Sequence, residues 1–389
     1  MYKPYLLFFC FLCIESIVVQ DKYSIKTNIN KYSNLLLCCL VIVFFWGFRG
    51  YVITDWVNYY GHFVMLPSSF RVLLEKNGFL ELGYNTLQFI VKKIWNNYFF
   101  LQIICSLIDF IIFYKAIVEL DYKNIPIIFL SFIMFKGIEI EFNLLRNSKS
   151  IFLFLYSLKF IKKEKSFIKY VLTNLIGAMF HISALLFIPL YFFIGRRIKD
   201  YIVLVVCLFS ISFMILRISI SAGLVSGICN VLPNGATVEK LSKYLIGQSS
   251  SVFSFIYIER LLSLALFWSY RNKLIKSNEN NVIMLNLFYF YFCICFIFWD
   301  FFLIIQRIAL LFICSNWFLF PELLKTIKNK EAKMLFFVIF FAYGAAKVYK
   351  DATADPANRY VLNFNEVSYD EKCAEYYKIP AHRAFNNKE

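Results

Sequence analysis

Charged residues fill only 17% of the 389 positions, where a soluble protein carries about a quarter. Glycine occurs 13 times and proline 8 times, which leaves little material for a multidomain chain joined by linkers. Acidic residues lag behind basic ones, 25 against 41, giving a formal charge of +16. The sequence has no glycine-rich phosphate loop, no DxD and no HExxH. It shows no repeat at a fixed period and no basic stripe with a nucleic-acid-binding motif. Together these absences argue against a nucleotide-dependent soluble enzyme, a zinc protease, a solenoid and a nucleic-acid binder.

What the chain does have is apolar surface. Sixty per cent of residues are hydrophobic and 20% aromatic, and the mean hydropathy is +0.63. A disordered chain would need the opposite balance; this one suits lipid as its main solvent. The abundance of Phe, Tyr, Lys and Asn also follows from an AT-rich coding sequence, so aromatic content is not itself a functional signal. Nine of the 11 cysteines lie in apolar runs (Cys10, Cys13, Cys38, Cys39, Cys105, Cys207, Cys293, Cys295 and Cys314), where they serve as small hydrophobes. Cys229 and Cys373 fall in expected loops, and a disulfide between them would need an oxidising compartment. Residues 5–19 resemble a signal peptide but contain Glu15 and lack a small-x-small cleavage site, so they read as a retained first helix.

A lipid-spanning helix needs about 20 mainly apolar residues. Candidate segments are 4–20, 33–48, 99–118, 125–142, 148–161, 167–181, 182–195, 201–217, 252–270, 282–299, 301–320 and 334–349. The expected fold class is therefore all-α and polytopic, with about 12 transmembrane helices. These form a single membrane domain over residues 1–349, followed by a polar tail, 350–389. Residues 125–161 are too long for one crossing and must fold back. Residues 167–195 would fit one steeply tilted helix, but basic residues flank both ends (Lys162, Lys163, Lys165 and Lys169; Arg196, Arg197 and Lys199). A hairpin keeps both ends cytoplasmic. The segments 21–34, 115–124, 159–169, 196–200, 271–280 and 322–333 hold 20 Lys/Arg in 62 residues. The opposite set, 49–98, 143–149, 218–250 and 350–389, holds 15 in 130. The first set is thus expected inside and the second outside. In the long outer loop 49–98, Tyr84, Leu87, Val91 and Ile94 share a helical face, with Asn85, Gln88, Lys92 and Lys93 elsewhere. That pattern predicts an interfacial amphipathic helix.

Ionisable groups inside spans are costly and mark candidate sites. Arg307 follows Asp300 by seven residues, about two turns, so both are expected on one face. Glu259 and Arg260 lie within the span 252–270 and point apart. Arg146 caps the outer end of 148–161, His181 sits at the tip of the 167–195 hairpin, Arg49 ends the second span and Asp55 follows it. Under one topology all of these fall on the outer half of the membrane. The plainer alternatives are headgroup anchoring for Arg49 and Arg146, an intramembrane ion pair for Arg260 and Arg307, helix packing for His181 and a helix cap for Asp55. Glu81 either supports the site or starts the amphipathic helix. Asp109, Glu15, Glu139, Glu141 and Lys136 read as helix-packing pairs and receive no functional role. The guanidinium fork suits phosphate, and a lone histidine suits proton transfer near neutral pH. The combination suggests glycosyl transfer from a polyprenyl-diphosphate donor, whose leaving group is already activated.

The stretches RGYVITDWVNYY, ELGYNTL, FNLLRNSKSIFLFLYSLKFIKKEK, FHISALLFIPLYF and QRIALLF resemble, in order and spacing, the Wzy/EpsG-type polysaccharide polymerases, which include O-antigen polymerases. The similarity covers most of residues 45–320. Its sharpest parts are Asp55 with Tyr59 and Tyr60, Arg146 before a span and a basic turn, and Phe180-His181 before Ser183-Ala184-Leu185. The family's first motif often reads Gly-Thr-Asp, where this chain has Ile53-Thr54-Asp55; a second, Glu-Pro-like motif reads Glu81-Leu82-Gly83-Tyr84 here. The resemblance implies a helical membrane glycosyltransferase of the GT-C-like type in the bacterial inner membrane. Such an enzyme transfers a growing glycan from undecaprenyl diphosphate to an incoming lipid-linked repeat unit at the periplasmic face.

Carried onto this sequence, Arg146 and Arg307 would hold the diphosphate, with Arg49 and Arg260 as further candidates. His181 would be the base, and Asp55 would orient the acceptor sugar. Glu81, Tyr84, Glu259 and Asp300 would support the site. No metal or other cofactor is expected, and a chain-length regulator and a flippase are the expected protein partners. Two alternatives remain open on sequence alone: a flippase of lipid-linked oligosaccharide and an O-antigen ligase.

Overall fold

The computed structural model describes residues 2–22, 28–77, 82–220, 255–300 and 302–379. Among these, all regular elements are helical, and one isolated β-type bridge joins Arg49 to Leu362. The chain divides into two compact units, residues 1–192 with 329–389, and residues 193–328.

The first unit begins with α1 (Lys3–Lys22) and α2 (Asn28–Gly47). Three short helices then fill the long loop: α3 (Trp56–Val64), α4 (Phe70–Asn77) and α5 (Leu82–Ile94). Helix α6 (Tyr98–Glu119) starts at Asn97, whose side chain accepts from the Phe100 N–H, a standard use of asparagine at a helix start. Next come α7 (Ile125–Phe132), α8 (Ile138–Asn143), α9 (Leu145–Ser157) and the single turn α10 (Lys159–Lys162), with α12 (Tyr191–Ile194) a further single turn later in the chain. The expected span 125–142 is not continuous. Phe135 and Lys136 leave helical geometry, Lys136 with φ of 65°, and the lysine is held there by Glu139 at 3.0 Å and Asp351 at 3.6 Å. A second break falls at Leu144. The 125–161 stretch folds back as its length required: Phe132 and Phe152, 20 positions apart, place their rings 6.0 Å apart.

Helix α9 is the centre of this unit, packed between α6 and α11 (Phe167–Phe180). The chain reverses at His181, whose backbone is extended. The returning 3-10 segment Ile182–Leu190 lies along α11. The Tyr170 hydroxyl donates to the Phe187 carbonyl at 2.6 Å, a contact that a straight helix over 167–195 would place about 25 Å apart. Helix α18 (Lys330–Thr353) packs on α1.

The tail beyond residue 350 is docked rather than loose. Its backbone bonds to the 48–53 segment (Gly50 N–H to Val361 O at 2.7 Å, Ile53 N–H to Ala357 O at 3.0 Å, Asn363 N–H to Phe48 O at 2.9 Å). Glu366 accepts from the Tyr51 N–H at 2.8 Å. Its last helix, α19 (Tyr369–Lys378), has a full Ser368–Glu371 capping box and stacks Tyr369 on Tyr60 at 3.9 Å. Cys373 lies in this helix rather than in a loop; Cys229 lies outside the described residues.

The second unit holds α13 (Asp200–Ile215), α14 (Phe255–Ser277), α15 (Asn281–Ile297), α16 (Phe302–Phe312) and α17 (Cys314–Thr326). Arg271 and Arg197 both pair with Asp200. The Asn286 amide donates to the carbonyls of Ile194 and Arg196, each at 2.8 Å. The basic turn 196–200 is thereby fastened to α14 and α15.

Among the described residues, helices α6 and α18 are long and apolar enough to cross a bilayer, and five shorter apolar helices accompany them. Large apolar side chains stand on the outside of α2 (Leu36, Leu40, Phe44), α11 (Ile168, Leu172, Ile176), α13 (Leu204, Leu208, Phe209) and α18 (Leu335, Val338, Ile339). Soluble monomers do not expose apolar surface on this scale; facing lipid it costs nothing.

Candidate functional site

The five residues 143–147, spanning the break between α8 and α9, gather the groups that the sequence singled out in the first unit. Asn143 Oδ1 accepts from the Asp55 N–H at 2.8 Å, the Thr54 N–H at 3.3 Å and the Thr54 hydroxyl at 3.2 Å. It thereby holds the turn that presents Asp55. Asp55 begins α3, but its side chain does not cap that helix. The Arg146 guanidinium lies 5.6 Å from the centre of the Tyr59 ring. Burial pushes the Tyr59 phenol above its ordinary range, and the Arg146 charge beside it pulls the other way. Tyr59 in turn meets Tyr84 edge-on at 5.9 Å. Asn147 Oδ1 is 3.0 Å from the Ser183 hydroxyl, which is 2.7 Å from His181 Nδ1. Asp55, Arg146, His181 and Tyr84, far apart in sequence, are thus tied to one short segment.

Two backbone features shape this region. Ile53 has φ of 69°, a conformation that costs an ordinary L-residue roughly 1–2 kcal/mol and glycine nothing. The Gly-Thr-Asp form of the motif is the unstrained solution; here Ile53 is held by its bond to Ala357. Gly83 starts α5 against the last turn of α11, where a Cβ would lie 3.0 Å from Met179 Cβ and 3.1 Å from its carbonyl oxygen. The glycine lets α5 abut the residues just before His181.

Helix α5 turns most of its predicted apolar face inward, since Tyr84 and Val91 are buried and Leu87 packs against the same core, but it buries two polar residues with them. Tyr84, Asn85, Gln88 and Val91 are buried, while Ile90 and Ile94 are exposed. The polar side is turned inward because Gln88 has a partner there: its Oε1 is 2.7 Å from His62 Nδ1. Lys92 donates to the carbonyls of Phe63 and Val64 at 2.9 and 2.7 Å, and Ile90 and Ile94 are left to the surroundings.

Arg49 is fully buried. Its guanidinium bonds to the Trp46 carbonyl, to the Ser106 hydroxyl at 3.2 Å and to the Glu141 carbonyl at 3.1 Å, and lies 4.5 Å over the Phe142 ring. Beside it is a buried charge pair, one half of which, Asp109, the sequence marked for helix packing without showing its partner. Lys149 Nζ meets Asp109 Oδ2 at 2.9 Å with neither side chain exposed. Ser148 donates to the same oxygen at 2.8 Å, and Lys149 also bonds the Leu145 carbonyl at 3.0 Å. The Ser106 hydroxyl donates to Glu141 Oε1 at 2.9 Å. The cluster of Arg49, Lys149, Asp109 and Glu141 is formally neutral and fixes α9 to α6 and α8 below Arg146.

The other candidates lie in the second unit. The Arg260 Nε bonds the Tyr291 hydroxyl at 3.1 Å, and its guanidinium lies 5.2 Å from the centre of the Tyr257 ring. Glu259 is half-buried, and its carbonyl accepts from Ser263. Arg307 is exposed on α16. Asp300 is not on that helix: it lies in the turn before Phe302 and accepts from the Ser219 hydroxyl. The continuous two-turn spacing expected for Asp300 and Arg307 therefore does not hold. Glu81 and His382 lie outside the described residues. Among the described residues, no group of three or more His, Cys, Asp or Glu is placed to hold a metal.

The molecule is thus a membrane protein, helical throughout its described residues, in which half-buried Arg146 lies on one short segment that meets the turns carrying Asp55 and His181. The EpsG family model matches residues 34–365. The chain belongs to the EpsG family, and its function is of the polysaccharide-polymerase type. No curated protein and no solved structure matches it. The matched region stops short of α19, although that helix packs on the loop that carries Asp55.

Sequence reasoning gave no role to Asn143, Asn147, Ser183 or Lys149, and read Asp109 only as half of a helix-packing pair, which its contact with Lys149 bears out. Two asparagines four positions apart around Arg146, and a serine two after His181, were the available signals. Nothing in their spacing said what they would reach.

Proposed function

We propose that this protein is a glycosyltransferase that polymerises lipid-linked repeat units at the outer face of the cytoplasmic membrane. The donor is a glycan on undecaprenyl diphosphate, and the acceptor is the terminal sugar of a second lipid-linked unit. In this reading the shorter apolar helices and the remaining apolar segments of the sequence cross the bilayer too, giving about twelve crossings. The observation that carries the reading is the segment 143–147, which holds the Asp55 turn through Asn143, contributes Arg146 itself, and meets the His181 turn through Asn147.

Arg146 binds the diphosphate and neutralises the charge that grows on it as the glycosidic bond breaks. His181 takes the proton from the acceptor hydroxyl. Asp55 orients the acceptor sugar. Arg49, enclosed by protein groups, acts by holding the α8–α9 segment in place. In the second unit, exposed Arg307 is a separate candidate for a lipid phosphate, and Arg260 is engaged by tyrosines. The reaction needs no nucleotide because the diphosphate is already a good leaving group.

The test uses single-unit lipid-linked glycan extracted from a host strain deleted for this gene. Purified protein in detergent is given this lipid, and both glycan lengthening and undecaprenyl diphosphate release are followed by mass spectrometry. Detergent removes sidedness, so a flippase would produce no elongation. Arg146→Ala and His181→Ala should each lower elongation at least about 100-fold while the protein remains folded. Parent-level elongation by both variants would refute the assignment.

A further inference from the structure

We propose that Ser183 and Asn147 are positioning residues that set which ring nitrogen of His181 carries its proton. The inference rests on the reading of His181 as the base. Ser183 Oγ stands between two groups, 2.7 Å from His181 Nδ1 and 3.0 Å from Asn147 Oδ1. An amide oxygen only accepts hydrogen bonds, so the Ser183 hydroxyl donates its single proton to Asn147. Ser183 Oγ can then only accept from the ring, and Nδ1 carries the hydrogen. The backbone N–H of Ser183 also donates to Nδ1, at 3.3 Å, capping the 182–190 segment. It would favour the opposite tautomer, but it is the longer contact by 0.6 Å.

With the hydrogen fixed on Nδ1, the lone pair of neutral His181 is on Nε2, as a base requires. The step balances simply. The acceptor hydroxyl gives its proton to Nε2 while its oxygen bonds to the anomeric carbon of the donor. The bond from that carbon to the diphosphate oxygen breaks, and undecaprenyl diphosphate leaves with the electron pair. Asn147 sits on α9 next to Arg146, so the residue that orients the base and the residue that meets the diphosphate share one helical turn. Asn147 is buried, and α9 is fixed from below by Lys149 and Asp109.

The arrangement makes a prediction that helix packing alone would not. Ser183→Ala removes the hydroxyl and lets the tautomer relax toward the one favoured by the backbone N–H. Its kcat in the detergent elongation assay, with extracted single-unit lipid as substrate, should fall about 10- to 100-fold with KM unchanged. Ser183→Thr keeps a hydroxyl and should stay within about threefold of the parent. Asn147→Asp keeps an oxygen that only accepts and should hold kcat within about threefold, even where its charge raises KM for the anionic donor; Asn147→Leu should behave like Ser183→Ala. Parent-like kcat in Ser183→Ala, or a loss of kcat in Asn147→Asp as large as in Ser183→Ala, overturns the proposal. His181→Ala separates the two readings. If it retains parent kcat, the assignment of the base fails and this inference with it. If it is inactive while Ser183→Ala and Asn147→Leu are unaffected, only the positioning role fails.

Discussion

Lys149 and Asp109 offer the sharpest test of how this fold holds its centre. Neither side chain has solvent exposure, and their 2.9 Å contact is supported by Ser148 on the same carboxylate oxygen. The other oxygen, Asp109 Oδ1, has no hydrogen-bond partner in the structure. Removing one partner leaves an uncompensated charge in an apolar interior, which costs about 3–5 kcal/mol. Asp109→Asn strands the ammonium; Lys149→Met strands the carboxylate with one hydroxyl. Removing both, as Asp109→Leu with Lys149→Met, eliminates two desolvation costs along with the attraction, and such replacements are typically within a few kcal/mol of neutral or stabilising. The double variant should therefore be more stable than either single one, with a coupling of about 3 kcal/mol or more. Thermal unfolding in detergent across the four proteins measures this directly. Because Lys149 also holds the Leu145 carbonyl at the root of α9, both single variants should slow elongation as well. Single variants that each cost below about 1 kcal/mol, or a double variant whose cost equals their sum, would refute the account.

Two further outcomes follow from the region around Asp55. Ile53→Gly should change stability by less than about 1 kcal/mol, because relief of the positive φ, worth roughly 1–2 kcal/mol, offsets the lost half-buried side chain and the entropy of glycine. An ordinary Ile-to-Gly change in a core costs several times more, and a comparable loss in a thermal melt would show that the strain is absent. The docking of α19 should weaken at alkaline pH. Burial raises the phenols of Tyr51 and Tyr369 and pushes Tyr376 up to about 12. The released chain therefore gives up these protons first, and docking free energy falls as pH rises from about 10, the free phenol value, toward 12. Protease cleavage near residue 366, scanned against pH, should rise over that window; a flat profile would count against the tyrosine contacts as the clasp.

Much of the helical layout was legible because its signals are local. The flanking lysines and arginines distinguished a hairpin from a tilted helix at 167–195, and the excess length of 125–161 required a fold-back. The site was legible in its chemistry: Asp55, Arg146 and His181 stood out as ionisable groups at the ends of apolar runs. On α5 the apolar spacing found Tyr84, Leu87 and Val91 but missed the burial of Gln88, because spacing counts apolar residues and does not register that Gln88 will find His62. The helix over 125–142 was taken as continuous because no residue type there excludes it. Its break depends on Lys136 meeting Asp351, more than 200 positions away.

The sequence by itself determined the class of protein, the family and the short list of candidate ionisable residues. These are properties of composition, order and 3.6-residue periodicity, and each is complete within a few turns of chain. Only the tertiary structure decided that Asn143 would carry the Asp55 turn, that Ser183 would stand between Asn147 and His181, that Lys149 would pair with Asp109, and that the tail would clasp the loop at Tyr60. A hydrogen bond between residues 36 or 88 positions apart depends on which helices pack together. That choice is made by the whole apolar interior rather than by the partners themselves.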